Sequence, residues 1–110
     1  DALYRPDFAR PAGDTVVWRC EEVAAGAIEA AVAQGCTGPN QLKAFTRCGM
    51  GPCQGRLCGL TVTQIIADLR GVSPGEVGHY RLRPPVKPVT VGELAGLPIS
   101  NAAMKAVARD

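Results

Sequence analysis

The stretch TRCGMGPCQGRLC, Thr46 to Cys58, constrains this chain more than any other. Cys48, Cys53 and Cys58 are each separated by four residues and are interleaved with Gly49, Gly51, Pro52 and Gly55. On an α-helix, residues five apart are rotated by roughly 500°, about 140° off a common face. Cys53 and Cys58 therefore cannot converge on one centre from a regular helix, and they need a loop. The three glycines supply it, because glycine permits positive φ and close backbone approach. They also leave backbone N–H groups on a tight curve, where these can donate to anionic sulfur.

Cys20 and Cys36 bring the total to five cysteines in 110 residues. The count is odd, the density is below the roughly 8–10% of a disulfide scaffold, and no export signal is visible. Metal or cluster ligation in a cytoplasmic protein is the expectation. Structural zinc sites favour cysteines paired about two to four residues apart. The upstream half offers only single cysteines, and His79 reads as an exposed turn residue. A catalytic cysteine would need a neighbouring base, which the loop does not contain.

Composition narrows the fold. Apolar residues make up 46% of the chain and aromatics only 5%. Small side chains imply closely approaching helices or loops. A single domain of this size buries about 60–70% of its unfolded surface, so a bound metal would add stability. The net charge is +2 and scattered. The longest basic stretch, HYRLRPPVK (residues 79–87), is broken by prolines, unlike a nucleic-acid footprint. No run of 18 apolar residues exists to span a membrane. Residues 1–14, rich in proline and charge, read as a linker from a preceding domain.

Local patterns place the elements. TVVWR is a short β-favouring run that delivers Cys20 at its end. Glu21 and Glu22 suit the positive N-terminus of a following helix. VAAGAIEAAVAQG reads as that helix, with Val23, Ala27, Ile28, Ala31 and Val32 as its apolar face and Gly35 as its stop. QLKAFTR is a second helix, capped by Asn40, with Leu42 and Phe45 inward. LTVTQIIADLRG is the clearest helix: Val62, Ile65, Ile66 and Leu69 form a stripe, Thr61 and Gln64 a capping box, and Gly71 the end. An earlier start inside the cysteine loop also fits, because Cys58 continues the stripe one turn back.

SPGEV adds a short helical turn, with Ser73 as cap and Pro74 at its first position. RLRPPVKPV is extended. VGELAGL and NAAMKAVARD are weak helical tails, the last of them within a C-terminal tail over residues 96–110. The expected fold is mainly α, with a short N-terminal strand and the cysteine loop between helices. Three to five short helices should enclose Ile28, Val32, Leu42, Phe45, Ile65, Ile66 and Leu69.

Three blocks carry a resemblance: RCEEV at 19–23, NQLKAFTRCGMGPCQGRLC at 40–58 and GVSPGEVGHYRLRPPVKPVTVGELA at 71–95. Together they resemble the bacterioferritin-associated-ferredoxin-like (BFD-like) [2Fe–2S] domain, over residues 15–95. That domain is found at the C-terminus of FAD-dependent oxidoreductase subunits, including those of opine oxidase, hydrogen cyanide synthase and amino-acid dehydrogenases. The family holds its cluster with a C-x-C pair and a later C-x4-C pair. Cys20 matches the second cysteine of the first pair, and Cys53 and Cys58 match the later pair. The remaining position is Trp18, which cannot ligate iron and would pack its ring against the core.

Three alternatives follow from that departure. Cys48 supplies the fourth thiolate, or the ligand set is incomplete and the cluster labile, or the cluster is lost and the fold kept. Cys36 reads as a small buried hydrophobe. The resemblance implies an electron-transfer [2Fe–2S] domain with no catalytic residue of its own. FAD and substrate would sit on an upstream domain or a partner flavoprotein subunit, since this chain has no G-x-G-x-x-G. The alternative is a cluster-free docking module of the same complex.

Overall fold

The computed structural model describes residues 10–107. The linker expected at 1–14 and the tail expected at 96–110 thus lie partly outside the described residues. The first strand, β1 (Val16–Trp18), forms where the β-favouring run predicts it, and it pairs antiparallel with β2 (Val23–Ala24). Val16 lies opposite Ala24 and Trp18 opposite Val23, with an irregularity between the two pairs. Helix α1 (Ala25–Ala33) follows directly.

This differs from a helix beginning at Val23. Val23 and Ala24 take part in the hairpin, so Glu21 and Glu22 fall in its turn and not in the helix's first turn; Glu22 has φ 55°. No side chain caps α1. Its first N–H groups are satisfied by the segment before the hairpin: Ala25 donates to the Thr15 carbonyl at 2.9 Å and Gly26 to that of Gly13 at 2.8 Å. The buried face is Ala25, Ile28 and Ala31, with Val32 half-buried against the core and Ala27 exposed. Gly35, at φ 99°, ends the helix as expected.

Helix α2 (Pro39–Thr46) starts two residues earlier than its apolar pattern predicts. Gly38 is the N-cap and Pro39 occupies the first helical position, where its missing N–H costs nothing. Asn40 is therefore inside the helix and is no cap. Its side chain reaches across the fold, donating to the His79 carbonyl at 3.1 Å and accepting from the Arg81 N–H at 2.8 Å. Leu42 is fully buried, but Phe45 is 42% exposed and is not part of the core.

Helix α3 (Gly59–Arg70) is the central element, packed on α1, α2 and α4 (Pro74–Val77). Val62, Ile65 and Ile66 are fully buried, whereas Leu69, at the end of the stripe, is 37% exposed. The helix takes the earlier start, with Cys58 at its N-cap. Thr61 and Gln64 are both interior, so they form no capping box; Gln64 instead donates to Asp68 at 2.7 Å. Gly71, at φ 67°, is the C-cap. Helix α4 has the capping box its sequence predicts, Ser73 with Glu76.

Beyond Arg81 the chain is extended, then forms α5 (Val91–Ala95) and α6 (Asn101–Val107), neither with a buried residue. The described residues thus hold six helical segments: α1 to α4, which pack on one another, fall within the three to five expected around the core, and the weak tails are helical but lie off it. The class is mainly α with a two-stranded antiparallel hairpin. No helix among the described residues is long and apolar enough to cross a membrane.

Candidate metal centre

Two tight chain reversals deliver the cysteines. The β1–β2 turn carries Cys20. The second reversal begins at Arg47, whose left-handed conformation (φ 60°) ends α2 and turns the chain into Cys48. Successive short-range bonds then coil the loop: Met50 N–H to Arg47 at 2.9 Å, Gln54 to Gly51 at 2.8 Å and Arg56 to Cys53 at 3.0 Å. On the surface, Arg47 pairs with Glu21 at 3.3 Å, linking the two reversals. An exposed pair of this kind contributes little energy.

The loop glycines are there for close approach. A Cβ on Gly51 would lie 2.6 Å from Cys20 Cβ and 2.7 Å from the Trp18 ring, so the hairpin presses directly on the loop backbone. Gly49 and Gly55 hold the Tyr80 ring between them; a Cβ on either would sit 2.7 Å from a ring carbon. Tyr80 is delivered by the segment after α4, which Asn40 bonds on both sides of it.

Four thiols gather inside this frame. Cys48 and Cys58 are fully buried and face one another. The Cys58 thiol beside it holds the Cys48 thiol below its ordinary pKa in spite of burial. The same neighbour, with burial adding to it, pushes the Cys58 thiol up. Cys53 accepts from the indole N–H of Trp18 at 3.3 Å. Cys20 and Cys53 are half-buried and near enough to oppose a negative charge on Cys48. A cavity of about 370 Å³ opens beside them, lined in part by Trp18, Cys20, Cys53 and Cys58.

Cys36 stands apart. It is buried near the start of α2, donates to the Gly38 carbonyl at 3.4 Å, and burial raises its pKa. All five cysteines are free thiols. His79 is exposed, and its ring packs against Gly59.

Tyr80 is the site residue that sequence reasoning missed. It lies in a stretch notable only for its basic residues, with no periodicity to mark it as inward. It is 4% exposed, and its hydroxyl has no hydrogen-bond partner among the described residues. Burial, then the neighbouring Cys48, pushes its pKa up, so the hydroxyl keeps its proton. Cys48 is its thiol neighbour, with no hydrogen bond between the two. Leaving such a group unsatisfied costs about 1–3 kcal/mol.

The donor set fits a soft, thiolate-ligated group. Cys20, Cys53 and Cys58 lie near enough to Cys48 to act on its ionisation, Trp18 directs an N–H at Cys53, and the buried Tyr80 O–H is left without an acceptor among the described residues. A single ion has no ready-made position, since no three Cys, His, Asp or Glu side chains among the described residues form one. A two-iron cluster asks for less convergence, because its four thiolates are divided between two metals.

Known proteins show the same domain. A family model described as the sarcosine oxidase A3 domain matches residues 16–97. The A subunit of opine oxidase from Rhizobium meliloti is 58% identical over 110 residues, which is 97% of this chain and 21% of that protein. The HcnB subunit of hydrogen cyanide synthase from Pseudomonas aeruginosa is 43% identical over 77 residues, 69% of this chain and 16% of that protein. The alpha subunit of sarcosine oxidase from Rhizobium meliloti is 41% identical over 66 residues, 60% of this chain and 7% of that protein. The chain thus spans about a fifth of the length of its opine oxidase relatives. No solved structure matches it at comparable significance. With the matched region covering most of its length, the chain belongs to the sarcosine oxidase A3 domain family.

Proposed function

We propose that this domain is the BFD-like [2Fe–2S] electron-transfer module of a flavin-dependent amino-acid or opine oxidoreductase, with Cys20, Cys48, Cys53 and Cys58 as ligands. The observation that carries the reading is that Cys20, Cys53 and Cys58 all lie near enough to Cys48 to act on its charge, and in this reading Cys48 takes the place of the cysteine that Trp18 replaces. When bound, such a cluster supplies one-electron transfer. The chain's own share is to hold the thiols, to direct the Trp18 N–H at Cys53, and to keep water from the buried Cys48–Cys58 side. No residue here need move a proton for the substrate's chemistry.

FAD and the substrate belong to a flavoprotein domain or subunit that this domain contacts. The segment after Arg81 suits such a contact. Val86, Val91, Leu94, Leu97 and Ile99 are all between 49% and 82% exposed, and α5 and α6 bury nothing on this domain. The similarity to the opine oxidase A subunit, most of whose length lies outside this match, supports a flavoprotein neighbour.

Anaerobic reconstitution of the purified chain with ferrous iron and sulfide tests the reading. Uptake of about two irons per chain, with a [2Fe–2S] visible spectrum and a paramagnetic signal on reduction, is expected. If neither the wild-type chain nor Trp18→Cys retains iron, the electron-transfer reading is wrong. The cluster-free docking module then takes its place, a reading favoured by the Trp18 indole already engaging Cys53.

A further inference from the structure

We infer that Tyr80 is a positioning residue whose hydroxyl is built to donate a hydrogen bond to the ligand sulfur of Cys48. This rests on the cluster reading above and names a residue that the thiol set alone does not. The ring is fixed from several sides. Gly49 and Gly55 flank it, the Lys43 ammonium lies 5.0 Å from its centroid, and Asn40 bonds the backbone of the residues before and after it. A phenylalanine would make every one of those ring contacts, so packing does not explain the hydroxyl.

The hydroxyl is nevertheless buried and without a hydrogen-bond partner among the described residues. A buried donor in that condition is a cost unless an acceptor arrives. The ring carbon that bears it would lie 2.7 Å from a Cβ on Gly49, the residue that follows Cys48, and Cys48 is the thiol that acts on it most strongly. A thiol is a weak acceptor, whereas a thiolate bound to iron is a strong one. Ligation therefore supplies what Tyr80 lacks. Hydrogen bonds to cluster sulfur are among the factors that set the potential. An O–H on Cys48 stabilises the more negative, reduced state and raises the potential. Trp18 does the same at Cys53 from the hairpin side.

The test is Tyr80→Phe, measured with and without the cluster, and the two states should respond in opposite senses. In the metal-free chain, Tyr80→Phe is expected to leave the melting temperature unchanged or raise it, because an unsatisfied hydroxyl has been removed. In the reconstituted chain, it should load iron to the wild-type level but show a more negative midpoint potential and faster loss of the cluster in air. Trp18→Phe, which removes the N–H opposite, should shift the potential in the same direction. A reconstituted Tyr80→Phe with wild-type potential and wild-type cluster lifetime overturns the inference and leaves the cluster reading standing. A lower melting temperature in the metal-free variant also overturns it, since the hydroxyl would then already have a partner. If the wild-type chain takes up no iron, both readings fall together.

Discussion

The indole N–H of Trp18 donates to the sulfur of Cys53 across 35 residues of sequence, at 3.3 Å. The bond ties the N-terminal hairpin to the cysteine loop. It also leaves the Trp18 ring fully buried between the two. The indole thus does two things a cysteine could not: it fills volume against Gly51, and it gives Cys53 a donor.

Ligand substitution separates Cys48 from an incomplete site. With Cys48 as the fourth ligand, Cys48→Ser should abolish the reconstituted [2Fe–2S] spectrum as completely as Cys53→Ser does. Cys36→Ser should leave it intact, because Cys36 bonds the Gly38 carbonyl away from the other four. The opposite pattern, little effect of Cys48→Ser and a large gain in iron for Trp18→Cys, would show that the fourth position is open. Each absent thiolate leaves an iron exposed to water and oxidants.

Two glycines should fail in different ways. Gly51→Ala drives a methyl group into Cys20 and the Trp18 ring. Overpacking of this kind costs about 1–3 kcal/mol, and here it displaces Cys20, a ligand in the proposed function, so iron uptake should fall along with the melting temperature. Gly71 has open space around it but a φ of 67°. Gly71→Ala should cost about 1–2 kcal/mol of backbone strain and leave iron uptake unchanged. Thermal melts and iron assays on the two variants check the contrast.

Leu42 and Phe45 look equivalent in the sequence of α2 and are not. Leu42→Ala should destabilise by about 2–5 kcal/mol, the range for emptying a buried leucine site. Phe45→Ala, on the exposed side, should cost about 1 kcal/mol or less. Denaturant titrations of both variants give the comparison directly.

Acid should loosen the α4 turn through Glu76. Its carboxylate accepts from the Ser73 N–H at 2.9 Å and from the Ser73 hydroxyl at 2.8 Å, which lowers its pKa in the folded chain. A folded value below the unfolded one stabilises fully above pH 4.5, the ordinary value, and the stabilisation is lost as pH falls through the folded value. Glu76→Gln should therefore lower the melting temperature at pH 7, and the difference from wild type should shrink as the pH falls through the folded value. Glu93, held by Thr90 in the same manner, should add to the acid sensitivity of α5.

Part of this fold is settled between near neighbours, and that part can be read from the chain alone. The stripe Val62, Ile65, Ile66 and the cap at Ser73 depend on residues three or four apart, and a helix brings such residues together wherever it forms. The loop from Cys48 to Cys58 is legible because three glycines and a proline leave few other conformations. The remainder depends on contacts between distant segments. Val23 and Ala24 are strand because β1 lies beside them, and Asn40 spans 39 and 41 residues to the backbone around Tyr80. Phe45 and Leu69 are exposed because the core ends before it reaches them. Tyr80, the residue most informative about the site, has no local signal at all. Its burial comes from two glycines in a loop about 25 or more residues away, and its missing partner becomes evident only when every neighbour of its hydroxyl is in place. Long-range contacts of this kind are selected by the packing of the whole core, and no local window of sequence encodes them.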